Sequence, residues 1–196
     1  MSTVSLPLFP LSSVLYPGGH LSLRIFEPRY LDLIKDCARN DTGFGVCLIL
    51  EGQEAGEPVV PAAVGTLARI TDFHTLPDGL LGIHAEGSER FSVLGTRVRD
   101  NGLIHGDVEF LAEAQQVPMP PDCGLLATIL ERIHEQVGGH FSRFDRSLYD
   151  DASWVGFRLA EVLPLEQTER QFLLQINEPI ERLHQLMHHL PRFQRD

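Results

Sequence analysis

His184 and His188 stand four residues apart, with His189 beside them. On a helix that interval puts both imidazoles on one face, where they can hold zinc or nickel. A third donor in register, carboxylate or thiol, is missing nearby. The expected state is a solvated helix end, where histidine also complements the helix dipole. His134-Glu135 followed by His140 fails the H-E-x-x-H spacing, and Gly138-Gly139 breaks any helix between them. The sequence therefore predicts no metal site and no cofactor.

Nucleophilic and phosphate chemistry fare no better. A phosphate loop needs G-x-x-x-x-G-K-[ST], and the single lysine, Lys35, lies between Ile34 and Asp36 in a helical pattern. A Ser–Lys dyad would need that same lysine beside a serine motif, which is absent. Gly87-Ser88-Glu89 lacks the rest of a G-x-S-x-G elbow. A Ser–His–Asp triad assembled from distant positions stays open, but nothing points to one. Cys37, Cys47 and Cys123 form no C-x-x-C pair and read as reduced, mostly buried thiols of a cytosolic protein. Trp154, Phe157 and Phe172 could line a surface, although aromatics at helical spacing are usually core.

The elements that would position these groups divide the chain. Leu21, Leu23 and Ile25 alternate with Ser22 and Arg24, the period of a half-buried strand. Glu27-Pro28-Arg29 opens a helix carrying Leu31, Ile34 and Ala38, since proline suits the first turn. Phe44–Leu50 reads as a buried strand. Val64–His74 forms another, ending in a Leu76-Pro77-Asp78-Gly79 turn. Leu81, Ile83 and Ala85 lie on the return strand, Phe91 and Val93 on a separate one, and Ile104, Val108 and Phe110 on the last. Such strands with one helix suggest a small, partly closed barrel.

Three prolines within Val117-Pro118-Met119-Pro120-Pro121 forbid helix and ladder alike. Beyond them the period turns helical. Leu125, Ile129, Ile133 and Val137 form one stripe, with Asp122 as its cap; Val155, Leu159 and Val162 form a second. Phe172, Leu173 and Ile176 make a third, and Ile180, Leu183, Met187 and Leu190 a fourth. The expected organisation is a β subdomain over 1–116, a linker over 117–121 and a helical bundle over 122–196.

The formal charge of −11 splits into −6 before residue 112 and −5 after it. Neither half offers a basic face, so nucleic acid and anionic membrane are poor partners. Pro7, Pro10 and Pro17 interrupt the apolar N-terminus and no positive residue precedes it, unlike a signal peptide. No run reaches membrane-spanning length. A soluble, cytoplasmic protein is expected.

Several segments resemble the Lon N-terminal domain family, which includes the substrate-binding domain of Lon proteases and part of cereblon. They are Leu6-Pro7-Leu8-Phe9-Pro10-Leu11, Leu15-Tyr16-Pro17-Gly18 and Leu23-Arg24-Ile25-Phe26-Glu27-Pro28-Arg29-Tyr30. Gly65-Thr66-Leu67-Ala68, Leu76-Pro77-Asp78-Gly79 and Gly87-Ser88-Glu89-Arg90-Phe91 follow in the family's order. Leu163-Pro164-Leu165 and Glu169-Arg170-Gln171-Phe172-Leu173-Leu174 complete the set, with Arg170 where lysine is commoner. The resemblance implies an α+β fold: a PUA-like β pseudobarrel with one inserted helix, then a C-terminal α-helical bundle. It implies a non-catalytic module binding proteins or unfolded peptides. Full Lon proteases continue into ATPase and Ser–Lys peptidase modules, and this chain is expected to lack both.

The residues expected to contact a partner are Tyr16, Phe26, Arg29 and Tyr30, at the strand-to-helix corner. A groove between barrel and bundle, or an open barrel edge, would complete the surface. The competing assignment is structural, with Phe26 and Tyr30 plugging the barrel and Glu27 with Arg29 bracing the corner. Two other functions remain in view: a peptidase or hydrolase acting alone, and a PUA-like binder of a small ligand or RNA, which the even acidity opposes.

Overall fold

The computed structural model describes residues 3–52, 59–112, 116–138 and 144–193. The chain forms two compact units, Met1–Glu113 and Ala114–Asp196. The first holds strands β1 (Val4–Leu11), β2 (His20–Ile25), β3 (Phe44–Glu51), β4 (Val60–Pro61), β5 (Val64–Thr75), β6 (Leu81–Val98) and β7 (Ile104–Phe110), with helix α1 (Pro28–Asn40) between β2 and β3. The second holds helices α2 (Gly124–Val137), α3 (Ala152–Val162), α4 (Gln167–Gln175) and α5 (Pro179–His189). The class is α+β.

Strand β1 pairs antiparallel with β7 and parallel with β3, so the path β1–β7–β6–β5–β3 returns to its start. Alternation along β1 supplies two cores. Phe9 and Leu11 join Tyr30, Leu33, Ile34 and Cys37 of α1 together with Phe44, Val46, Ile83 and Ala85. Leu6 and Leu8 join Cys47, Leu67, Phe91 and Val108 on the opposite face of the sheet. Phe91 fits because Gly45 and Gly65 stand where side chains would collide with it. A Cβ at either would lie 2.7 Å from Phe91 Cζ.

Strand β6 corrects one expectation. Leu81, Ile83, Ala85, Phe91 and Val93 share a single strand of 18 residues, which pairs with β2 and β5 early and with β5 and β7 later. Gly87 lies inside it and permits close approach, since a Cβ there would sit 2.3 Å from the Tyr16 carbonyl oxygen. The Gly18 amide donates to Gly87 O at 2.7 Å and the Gly87 amide to Gly19 O at 2.9 Å. Thr66 Oγ1 donates to Leu15 O at 2.7 Å. The turn after β1 is thereby fastened to β5 and β6.

In α2 the buried side chains are Leu126, Leu130 and His134, whereas Leu125 and Val137 are exposed. The inward face is thus set one residue along from the stripe Leu125, Ile129, Ile133 and Val137. His134 holds it, with Nδ1 2.8 Å from the Tyr149 hydroxyl and its ring among Tyr149 and Trp154. Asp122 does not cap α2: the N-cap is Cys123, without a side-chain bond. Arg182 is fully buried, its guanidinium 3.8 Å from the Phe157 ring centroid, and it donates to the carbonyls of Leu173 and Ile176. These carbonyls end α4 and have no helical partners of their own.

Candidate functional site

The structure separates the four residues expected to make contacts: Arg29 and Tyr30 lie in the first turn of α1 and Phe26 just before it, whereas Tyr16 lies beyond the other end of β2, in the turn fastened to Gly87. Tyr16 is completely buried. Tyr30 stacks on Phe9 with ring centroids 3.9 Å apart and 13° between planes. Arg29, also buried, pairs with Glu27 at 2.9 Å and donates to Gly102 O at 3.1 Å. Its guanidinium lies 4.8 Å from the Tyr30 ring centroid. Arg29 and Tyr30 hold the corner together, Tyr16 belongs to the turn after β1, and of the four only Phe26, 56% exposed, offers surface.

The sheet also exposes apolar groups of β2, β5 and β6 beyond those the sequence singles out. Register aligns Leu23 of β2, Ile83 of β6 and Phe73 of β5 in one row. Leu21, Ala85 and Ile70 form the next row. Ile83 and Ala85 lie beneath α1's core, but Phe73 is 47% exposed, and Leu21, Leu23, Leu31, Ile70 and Leu81 are half-buried. Phe73 was missed because the bulge between Ile70 and Asp72 shifts the alternation of β5 by one residue.

Beside this face runs an open edge. Among the described residues β2 pairs with β6 alone. Because the Gly87 amide bonds Gly19 O at 2.9 Å, the register places the outward backbone groups of β2 at His20, Ser22 and Arg24. An edge strand next to half-buried apolar side chains can accept an extended peptide. Arg24 and Asp78 form an exposed ion pair of 2.6 Å at its rim.

Groups capable of bond-breaking chemistry are placed for other work. Lys35 is exposed and 3.9 Å from Asp32. Ser88 Oγ donates to the Leu67 carbonyl at 3.1 Å. Ser22 Oγ and His84 Nδ1 are 2.9 Å apart, but as cross-strand partners on an exposed sheet face. His84 stacks on His74 with centroids 4.5 Å apart. Among the described residues no carboxylate is bonded to His84, so this pair lacks the third member that orients a catalytic imidazole. A cleft of about 360 Å³ in the second unit is lined by Ala127, Thr128, Glu131, Arg146, Tyr149 and Asp150, without a Ser, Cys, His or Lys nucleophile or base.

The three cysteines are buried. Burial pushes the Cys47 thiol up to about 12, far from a reactive thiolate. His184, singled out for its spacing to His188, has Nε2 3.4 Å from Asp122 Oδ2. Those residues are 62 apart in sequence, so no local pattern announced the pairing.

Comparison with known proteins then bears on this arrangement. The model of the ATP-dependent protease La (LON) substrate-binding domain matches residues 5–192. A crystal structure of a Lon N-terminal domain protein from Xanthomonas campestris is 48% identical, with a TM-score of 0.81, covering 94% of this chain and 98% of that one. A Lon protease from Cytophaga hutchinsonii is 31% identical over 55% of this chain, which is 13% of that protease. A LON peptidase N-terminal domain and RING finger protein from Schizosaccharomyces pombe is 23% identical over 91% of this chain and 43% of that protein. The chain thus spans less than half the length of these two relatives.

Proposed function

The chain belongs to the family of LON substrate-binding domains, and from that membership we propose that it is a non-catalytic module that holds protein segments in extended form. The single observation that carries this reading is the edge position of β2, which among the described residues pairs with β6 alone and carries half-buried Leu21 and Leu23, with exposed Phe26 just beyond its end and exposed Phe73 in the row of Leu23 and Ile83. The first unit acts as a PUA-like pseudobarrel over 1–116, residues 117–121 as linker, and 122–196 as a helical bundle. Backbone groups of β2 give affinity to a captured strand, and the apolar face selects alternate side chains. Arg29 and Tyr30 contribute by fixing the corner from which Phe26 projects, and Tyr16 by fixing the turn that leads into β2. No step is chemical, and the partners are unfolded or extended polypeptides in the cytoplasm.

The test is fluorescence anisotropy of labelled apolar peptides with the wild type, Phe26→Ser and Phe73→Ser. Phe26 exposes about half of a side chain that buries roughly 200 Å² when fully covered. Covering that remainder at about 25 cal/mol per Å² sets a ceiling near 2.5 kcal/mol. A loss of about tenfold or more in Kd is expected for each variant. Unchanged affinity in both, with native circular dichroism, would remove this face from the binding surface.

A further inference from the structure

Asp122, Cys123 and His184 bring a carboxylate oxygen, a thiol sulfur and an imidazole nitrogen within 4.8 Å of one another, in the second unit. We propose that this trio is a binding site for a thiophilic divalent cation of the zinc class. The site is independent of the peptide-binding face.

The geometry is already close to a coordination polyhedron. Zinc bonds of about 2.0–2.3 Å to oxygen, nitrogen and sulfur put tetrahedral ligands roughly 3.3–3.7 Å apart. His184 Nε2 and Asp122 Oδ2 stand at 3.4 Å. The donors come from rigid supports. Asp122 and Cys123 occupy one 3₁₀ turn, Pro121–Cys123, closed by the Cys123 amide donating to Pro120 O at 3.0 Å, and His184 lies within α5. Cys123 is buried, while the Asp122 and His184 side chains are more than 40% exposed, so a cation has a solvent-side entrance with sulfur at its floor. Met187 Sδ, 3.8 Å from Cys123 Sγ, adds a second soft atom there.

The donor set selects the ion. Thiol and imidazole are poor ligands for magnesium or calcium, which demand oxygen shells. A monovalent soft cation has no call for a carboxylate. Thiolate and carboxylate together neutralise a charge of +2. On binding, the Sγ–metal bond forms, the thiol proton passes to solvent, and nothing is oxidised. Three protein donors leave a fourth position for water.

Cobalt(II) tests the site on the full chain, because a thiolate ligand gives it a near-ultraviolet charge-transfer band and tetrahedral geometry gives it strong visible bands. One equivalent should produce both, and zinc should displace them. Cys123→Ser should abolish the charge transfer, while Cys37→Ser should leave it. His184→Ala and Asp122→Asn, both at exposed positions, should weaken binding by roughly tenfold or more, the least expected when even an outer-sphere partner is worth that much. His188→Ala should change nothing. Absence of the charge-transfer band at one equivalent, its survival in Cys123→Ser, or equal binding by His184→Ala and wild type would overturn the proposal. So would a loss that followed His188 instead.

Discussion

Replacing Gly45 with alanine should show how tightly the second core of the β unit is fitted. A Cβ at this position would meet Leu8 Cδ2 at 2.6 Å, Phe91 Cζ at 2.7 Å and Leu6 Cδ2 at 2.9 Å. All three are ends of side chains, so the strain is one of volume rather than backbone. Alanine in a strand would otherwise gain about 0.4–1 kcal/mol by restricting the unfolded chain. Overpacking of about 1–3 kcal/mol outweighs this, and a net loss near 2 kcal/mol is expected. Phe91→Leu removes the Cζ atom and alone costs on the order of 1–2 kcal/mol as a partial cavity. Combined, the two should fall short of additivity by about 1 kcal/mol. Gly65→Ala is the control: its Cβ also lies 2.7 Å from Phe91 Cζ but 2.5 Å from the Val46 carbonyl oxygen, a backbone atom that Phe91→Leu leaves in place. Its coupling to Phe91 should be smaller. Trp154, the only tryptophan, is in the second unit and reports the wrong transition. Urea unfolding should therefore be followed by hydrogen exchange of β3 and β6 amides. Additivity of Gly45→Ala and Phe91→Leu within about 0.5 kcal/mol would refute the reasoning.

Further expectations concern named groups. Cys47, pushed up to about 12 by burial, should resist thiol reagents in the native state and react only on unfolding. Its folded pKa exceeds the unfolded value, so its contribution to stability is complete below about pH 9 and disappears as pH climbs toward 12, a window that Cys47→Ala should flatten. Arg170→Lys should destabilise the second unit by about 1–2 kcal/mol, read by Trp154 fluorescence. The guanidinium donates to the carbonyls of Glu161, Leu163 and Leu165 at 2.9, 2.8 and 3.1 Å, and an ammonium cannot span all three. Glu169 is held below the usual carboxylate range first by the Glu166 amide and then by Arg192. Glu169→Gln should therefore weaken the acid sensitivity of unfolding, since the wild-type carboxylate's stabilisation is present above its unfolded pKa and lost as pH falls through its lowered folded pKa.

Local chemistry made much of the β unit legible. Pro28 opens α1, and the Leu76–Gly79 turn forms as the dipeptide types require, with Gly79 at φ +83° and Asp78 Oδ1 accepting from the Leu80 amide at 3.1 Å. The strings that carried the family resemblance prove to be packing devices: Tyr16, Thr66 and Gly87 converge on one turn from distant positions, and Gly65 makes room for Phe91. That is why exposed Phe26 could not be separated from buried Tyr30 in sequence. An aromatic at a corner reads alike whether it faces in or out. The bulge in β5 breaks the alternation that would mark Phe73, and the stripe Leu125, Ile129, Ile133 and Val137 missed the inward face of α2 because a histidine, His134, occupies one of that face's positions. The pairing of His184 with Asp122 was invisible because it depends on how α5 returns beside the Pro121–Cys123 turn.

The pairing of β1 with β7 has a bearing on synthesis. Val4 meets Val108 and Pro7 meets His105, so the first strand waits for about the hundredth residue to leave the ribosome before its last neighbour exists. Until then Leu6 and Leu8 lack Val108 as a covering partner, and the nascent chain carries an unsatisfied strand with apolar side chains. Closure across such sequence separation is slow compared with local helix formation. A translational pause before β7 has emerged from the ribosome should prolong the vulnerable interval, and one after β7 has emerged should not.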